Sequence, residues 1–170
     1  MAPPEVWLRG PVADIPPLLQ PVAHSLLQSR EEVAAVVPSL SEEQLWLRPG
    51  GAASVGFHTR HAAGALDRLF AYARGDTLSS AQRQALLVES SPHGRPEEAS
   101  HLVSEFAATV ERAVAQLRGT TDGALLEQRL VGRAQLPSTV LGLLFHAAEH
   151  TQRHVGQIVS MAKVVRGASA

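Results

Sequence analysis

The chain has 170 residues, 45% of them apolar, which is one domain's worth of polypeptide with enough apolar side chains for a core. Fifteen basic against sixteen acidic residues leave a formal charge of −1, so no basic excess exists to drive phosphate-dominated nucleic-acid binding. With no cysteine in the chain, disulfides, thiolate zinc sites, iron–sulfur clusters and cysteine nucleophiles are excluded, and the composition fits a reducing cytoplasm.

The opening Met-Ala-Pro-Pro-Glu has no basic segment leading into an apolar run, so no secretory signal is expected. Apolar stretches are cut by His, Glu, Gln or Arg short of the roughly 18 residues that a membrane span needs. The expectation is a soluble cytoplasmic protein without membrane contact, folded as a single domain over residues 1–170.

Residues 1–15 read as a Pro-containing lead-in. Pro16, Pro17 and Pro21 are tolerated only in opening turns, so a first helix is predicted from Pro17 or Pro21 to Val37, with Val22, Leu26, Val33, Val36 and Val37 at helical spacing. Ser41-Glu-Glu-Gln44 has the form of a short capped turn, and Arg48-Pro-Gly-Gly51 is a break. Ser54 is a good N-cap for a second long helix that ends near Gly75. A crossover follows, with a short helix around Ser80–Glu89 and a Ser-Ser-Pro-His-Gly-Arg-Pro loop. A third long helix is predicted from Pro96 or Glu97 to Gly119. Residues 120–137 read as irregular, with Gln128–Leu136 a weak candidate for extended chain. Ser138 is the predicted cap of a last helix reaching about Arg166. Four long helices with long connections at 76–95 and 120–137 predict an all-α four-helix bundle, its second and third long helices running parallel.

Histidine is the unusual entry in the composition. His146, His150 and His154 recur at i, i+4 and i+8, and side chains four apart lie one above the other on a helix, so two imidazoles can meet one ion. The outer pair is separated by about 12 Å along the axis. One ion therefore takes either His146/His150 or His150/His154. The second long helix offers His58 and His61, and one of them can supply a third ligand from a facing helix. Three imidazoles with a position left open form the ligand set of a catalytic centre rather than a closed structural one. Imidazole nitrogen suits zinc, nickel, iron or copper. His24, His93 and His101 read as ordinary hydrogen-bonded or surface histidines.

His146-Ala-Ala-Glu149-His150 also matches H-x-x-E-H, an inverted zinc-protease signature. That motif needs an acidic ligand well downstream, and no Asp or Glu follows His150. The protease reading fails.

His150-Thr-Gln-Arg-His154-Val-Gly-Gln157-Ile resembles the last helix of the DinB/YfiT-like metal-dependent enzymes, which carry H-x-x-x-H-x-G-Q there. Ala53-Ser54-Val-Gly-Phe-His-Thr-Arg-His61 resembles their second helix, with the ligand histidine seven residues after the opening serine. The resemblance implies His61, His150 and His154 as ligands of one divalent metal ion, zinc or nickel foremost and iron next. His58 and His146 are additional to the pattern. It further implies a four-helix bundle, commonly a homodimer, related to transferases that use bacillithiol or mycothiol and to a mycothiol-dependent isomerase.

On a helical wheel, Gln157 falls about 20° from His150, and Ser54, Arg68 and Tyr72 fall within about 20° of His61. Arg68 and Gln157 are therefore the candidate catalytic residues, with Arg68 suited to holding a substrate carboxylate; the competing reading of Arg68 is a salt bridge within the bundle. Tyr72 reads as a core aromatic. Glu149 points about 100° from His150 and reads as solvated or paired. A three-imidazole metal site supports either thiol transfer or hydrolysis; the resemblance implies transfer of a low-molecular-weight thiol to a small electrophilic substrate, with metal-hydroxide hydrolysis and a non-enzymatic metal-binding module as alternatives.

Overall fold

The computed structural model describes residues 3–92 and 98–168. Along the chain, the helices are α1 (Gln20–Val36), α2 (Glu42–Trp46), α3 (Val55–Arg74), α4 (Ser80–Leu87), α5 (Glu98–Gly119) and α6 (Val140–Ala168). Two short strands, β1 (Gln128–Val131) and β2 (Leu136–Thr139), stand between α5 and α6.

Local chemistry sets most of these boundaries. The Ser54 hydroxyl accepts from the Phe57 N–H and opens α3, while Gly75 closes it in the left-handed region at φ 85°, where a Cβ would be strained. Ser41 and Gln44 form a reciprocal capping box on α2, and Ser79 and Gln82 form another on α4. The predicted start of the third long helix at Pro96 or Glu97, and the reading of His93, lie outside the described residues.

Two expectations are corrected. Residues 128–139 are not irregular but an antiparallel hairpin, with Gln128 opposite Thr139 and Val131 opposite Leu136. Each strand has only four residues, too few for alternation to show in the sequence. The cap of α6 is Thr139 rather than Ser138: the Thr139 Oγ1 accepts from the Gly142 N–H at 3.0 Å, while the Ser138 hydroxyl turns to the Thr139 carbonyl at 3.5 Å.

The four long helices carry the architecture. α3 packs on α5 and α6, and α1 packs on the same two helices. Cross-links fix the directions. Arg60 meets Glu98, Arg112 meets Asp67, and the Gln116 amide donates to the Phe70 carbonyl, so numbers rise together and α3 and α5 are parallel. The Gln152 amide donates to the Ser25 carbonyl and Arg166 to that of Val36, so α1 and α6 are parallel as well. His58 lies beside His154 and His61 beside His150, which makes α3 and α6 antiparallel. The crossover from 75 to 98 lets two consecutive long helices point the same way.

The core runs through all four long helices, with Leu26 and Val33 of α1, Leu66 and Phe70 of α3, Phe106 and Leu117 of α5, and Leu144 and Ile158 of α6 among its members. Tyr72 is half-buried and packs on its edge. No helix among the described residues is long and apolar enough to cross a membrane. Leu66 is fully buried where α3 meets its neighbours. Leu66→Ala is expected to lower unfolding free energy by about 2–5 kcal/mol, through lost transfer energy and a residual cavity, as read from the denaturant midpoint.

Candidate metal centre

α6 is one continuous helix, so His150 and His154 sit on one face a single turn apart. α3 runs antiparallel beside it and presents His58 and His61 toward that face. His61, His150 and His154 each offer a nitrogen within 4.8 Å of the other two, and all three are half-buried. The three histidines are thus placed to hold a metal ion. The Nε2 atoms of His61 and His150 are 3.1 Å apart, close to the roughly 3.3 Å between two imidazole nitrogens that share a tetrahedral ion at 2.0–2.1 Å. The donor set fits a divalent metal.

His58 joins the cluster from the side: its Nδ1 lies 2.9 Å from Nδ1 of His154. Of two nitrogens facing each other, one must carry the proton and the other accept it. The Phe57 ring stacks on His61 at 5.2 Å between centroids, with 13° between planes.

Burial and neighbouring rings favour the neutral form of His58, His150 and His154. Burial lowers the His154 pKa to about 4, assisted by the neighbouring His61, His150 and His58. His150 is lowered by burial and then by His61, and His58 by burial and then by His61. Neutral imidazole is the form that binds metal.

Glu89 was not singled out by sequence. It follows α4 on the crossover, is buried, and places Oε2 2.7 Å from Nδ1 of His61 and Oε1 2.6 Å from Nη1 of Arg68. Burial alone would raise its carboxyl pKa; the hydrogen bonds from His61 and Arg68, with the Arg68 charge, outweigh that and hold it below the ordinary value. An ionised carboxylate only accepts, so His61 donates from Nδ1 and keeps the Nε2 lone pair.

This geometry corrects the role expected of Arg68. The residue does lie on the His61 stripe, but its guanidinium is buried and committed to Glu89. Its reach toward the centre passes through that carboxylate, and a substrate carboxylate would have to displace it. Gln157 occupies the expected stripe of α6 with an exposed side chain, about 10 Å along the axis from His150. Gly156 is exposed too, and among the described residues nothing outside its own helix turn comes within 4 Å of where its Cβ would stand. His146 is exposed beside Glu149 at 3.4 Å, leaving His150/His154 as the i,i+4 pair gathered with His61. Glu149 pairs with Arg153 at 2.7 Å, and that hydrogen bond lowers its pKa. His24 lies 3.0 Å from the Gly10 carbonyl, and His101 is exposed.

The depressed pKa of His154 carries a sign. In an unfolded chain its pKa returns to about 6.5, so the unfolded state binds the proton first as pH falls. The stabilisation is fully present above about 6.5 and is lost between there and about 4. Thermal unfolding of metal-free protein is expected to show a midpoint that falls through this window, with a shallower fall in His154→Gln. Parallel curves for the two proteins would refute the assignment.

The sequence profile of the DinB superfamily matches residues 25–158, a span that holds α3, the crossover and all three candidate ligands. A crystal structure of a conserved protein from Enterococcus faecalis superposes with a TM-score of 0.68 at 20% identity, covering 88% of this chain and 97% of that one. At that identity the likeness speaks for the fold. No curated protein matches the chain. With the profile spanning most of the chain and both ligand-bearing helices inside it, the chain belongs to the DinB superfamily.

Proposed function

We propose that this protein is a metal-dependent enzyme that transfers a low-molecular-weight thiol to a small electrophilic substrate. The observation that carries the reading is the convergence of His61, His150 and His154 from two antiparallel helices, with half-buried rings and, among the described residues, no fourth His, Asp or Glu grouped with them. A divalent ion held by three neutral imidazoles keeps its full positive charge and favours ionisation of a thiol or water placed at its open position. Zinc and nickel suit the all-nitrogen donor set best, with iron next.

The chain's own residues do the rest. Neutral His150 and His154 offer lone pairs near pH 7 without first losing a proton. Phe57 backs His61 with an apolar face and limits how the ring can turn. Gln157, exposed on the same stripe, has an amide free to orient a polar group of the substrate. Because the chain has no cysteine, the thiol nucleophile has to arrive as a cosubstrate.

Assembly as a homodimer through α6 is part of this reading. Phe145 and Val164 are 63% and 51% exposed on that helix, on either side of the bare backbone at Gly156. Sedimentation at micromolar concentration is expected to give twice the monomer mass, and a clean monomer removes this element.

The catalytic reading is tested with metal-loaded protein, a panel of small thiols and a generic electrophile. A rate that needs metal, saturates with one thiol and disappears in His150→Ala supports transfer. Turnover of an activated ester without thiol points to hydrolysis by the same centre, and silence in both assays points to a metal-binding module. His150→Ala is also expected to abolish stoichiometric metal binding, whereas His146→Ala retains most of the affinity, as read by calorimetry. Equal losses would show that the ligand set is misassigned.

A further inference from the structure

His61 has two ring nitrogens, and only one faces the other candidate ligands. The second meets Glu89, which comes from 28 positions along the chain and from a different element. Three observations show that this meeting is built rather than incidental. The carboxylate is buried and clamped from its other oxygen by Arg68. Gly64 makes room for it: a Cβ at that position would stand 2.6 Å from Oε1 of Glu89 and 2.7 Å from Nη1 of Arg68. Glycine weakens a helix interior, and in α3 it opens a notch where these two groups meet. The arrangement also holds the crossover to the bundle. α4 has no buried residue of its own. Its segment is tied by Gln82 to Asp67, by the Val88 and Ser91 carbonyls to Arg60, and by Glu89 itself.

We propose that Glu89 is the positioning residue of the metal centre: seated in the Gly64 notch and clamped by Arg68, it fixes His61 as the Nδ1–H tautomer with Nε2 free for the ion, and ion binding in return holds the 76–92 crossover down. This rests on the reading of His61, His150 and His154 as metal ligands. A hydrogen-bond acceptor behind a ligand imidazole fixes its tautomer and orientation and raises its basicity. Coupling between two equilibria is reciprocal, so whatever Glu89 adds to metal affinity, metal adds to crossover docking.

Two variants remove the interaction by different routes. Gly64→Ala keeps a strong helix former in α3 and displaces the carboxylate. Glu89→Leu combined with Arg68→Met removes both charges together, so neither is left buried and unpaired. Zn²⁺ affinity by chelator competition, the His61 tautomer by nitrogen NMR of metal-free protein, and amide exchange over 82–92 with and without Zn²⁺ are measured on all three proteins. The wild type is expected to bind one Zn²⁺, to hold His61 as Nδ1–H, and to show slower exchange in the crossover when loaded. Each folded variant is expected to lose about 10–100-fold in affinity, to shift His61 toward the Nε2–H tautomer, and to lose the zinc-dependent protection. A purely structural role for Glu89 would lower stability but leave tautomer and affinity unchanged, and that result overturns the proposal. A wild type that binds Zn²⁺ without protecting 82–92 overturns the coupling. A wild type that binds no Zn²⁺ brings down the three-histidine reading and this inference with it, and the wild-type arm alone distinguishes that case. If one variant does not fold, the other decides.

Discussion

Imidazoles within hydrogen-bond reach of one another cannot all carry charge, and the seam between α3 and α6 depends on keeping them neutral. His58, His61, His150 and His154 form one cluster there, with neighbouring ring centroids 4.5–5.3 Å apart. Protonating His58, His150 or His154 places a cation in a half-buried site beside other rings, which is why burial and mutual repulsion both push the pKa values of these three down. What remains is a set of rings gathered from two helices, with one nitrogen of each facing pair carrying the proton. Small buried residues, Ala62 and Ala65 on α3 with Ala147, Ala148 and Thr151 on α6, leave volume for the rings. Buried Thr59 and Thr151 return their hydroxyls to Val55 and Ala147 carbonyls of their own helices, so neither makes a demand on the cluster.

The charged groups around this seam are arranged with the same economy. Arg60 is buried yet directs Nη2 to Glu98 at 2.9 Å and Nη1 to the Val88 and Ser91 carbonyls, while its guanidinium lies 4.9 Å over the Trp46 ring. Trp46 donates in turn to Glu98, and Gly56 admits the indole, since a Cβ there would stand 2.9 Å from its ring atoms. Buried ion pairs add little net stability after desolvation is counted. Their effect here is positional. They bring α2, α3, α5 and the end of the crossover to one place, at the α3 residue that immediately precedes His61.

The elements that set their own boundaries were the legible ones. Ser54 and Gly75 frame α3 through bonds to residues no more than five away, so the sequence alone marks both ends. Helical spacing marks His150 with either His146 or His154, the resemblance selects His154, and the structure gathers His150 and His154 with His61. His61 was reachable only through resemblance, since spacing does not choose between it and His58; the structure gathers His61 with His150 and His154 and sets His58 beside His154. Glu89 left no signal at all. It is a single acid after a short helix with exposed leucines, and its burial depends on Arg68, Gly64 and His61, none of which lies near it in sequence. Arg68 was placed correctly on the stripe, and its partner was not visible for the same reason. Extended chain at Gln128–Leu136 was only a weak reading and its hairpin pairing and the Thr139 cap were missed, because four-residue strands and adjacent hydroxyls give local rules too little to act on.

The ligands consequently differ in what they ask of the fold. Forming α6 is sufficient to align His150 with His154, so that pair is preorganised by local structure. His61 arrives only when α3 packs antiparallel on α6, and an ion shared by all three would tie those helices together, adding stability that grows with the logarithm of free metal above its dissociation constant. Glu89 comes later still in this hierarchy, since it needs α3 and α5 already parallel to receive the crossover and Arg60 to hold that segment's carbonyls. A long connection is usually a cost of making consecutive helices parallel. In this chain it also carries the acceptor behind a candidate ligand, so a segment whose helix α4 buries no residue bears directly on the geometry of the candidate metal centre.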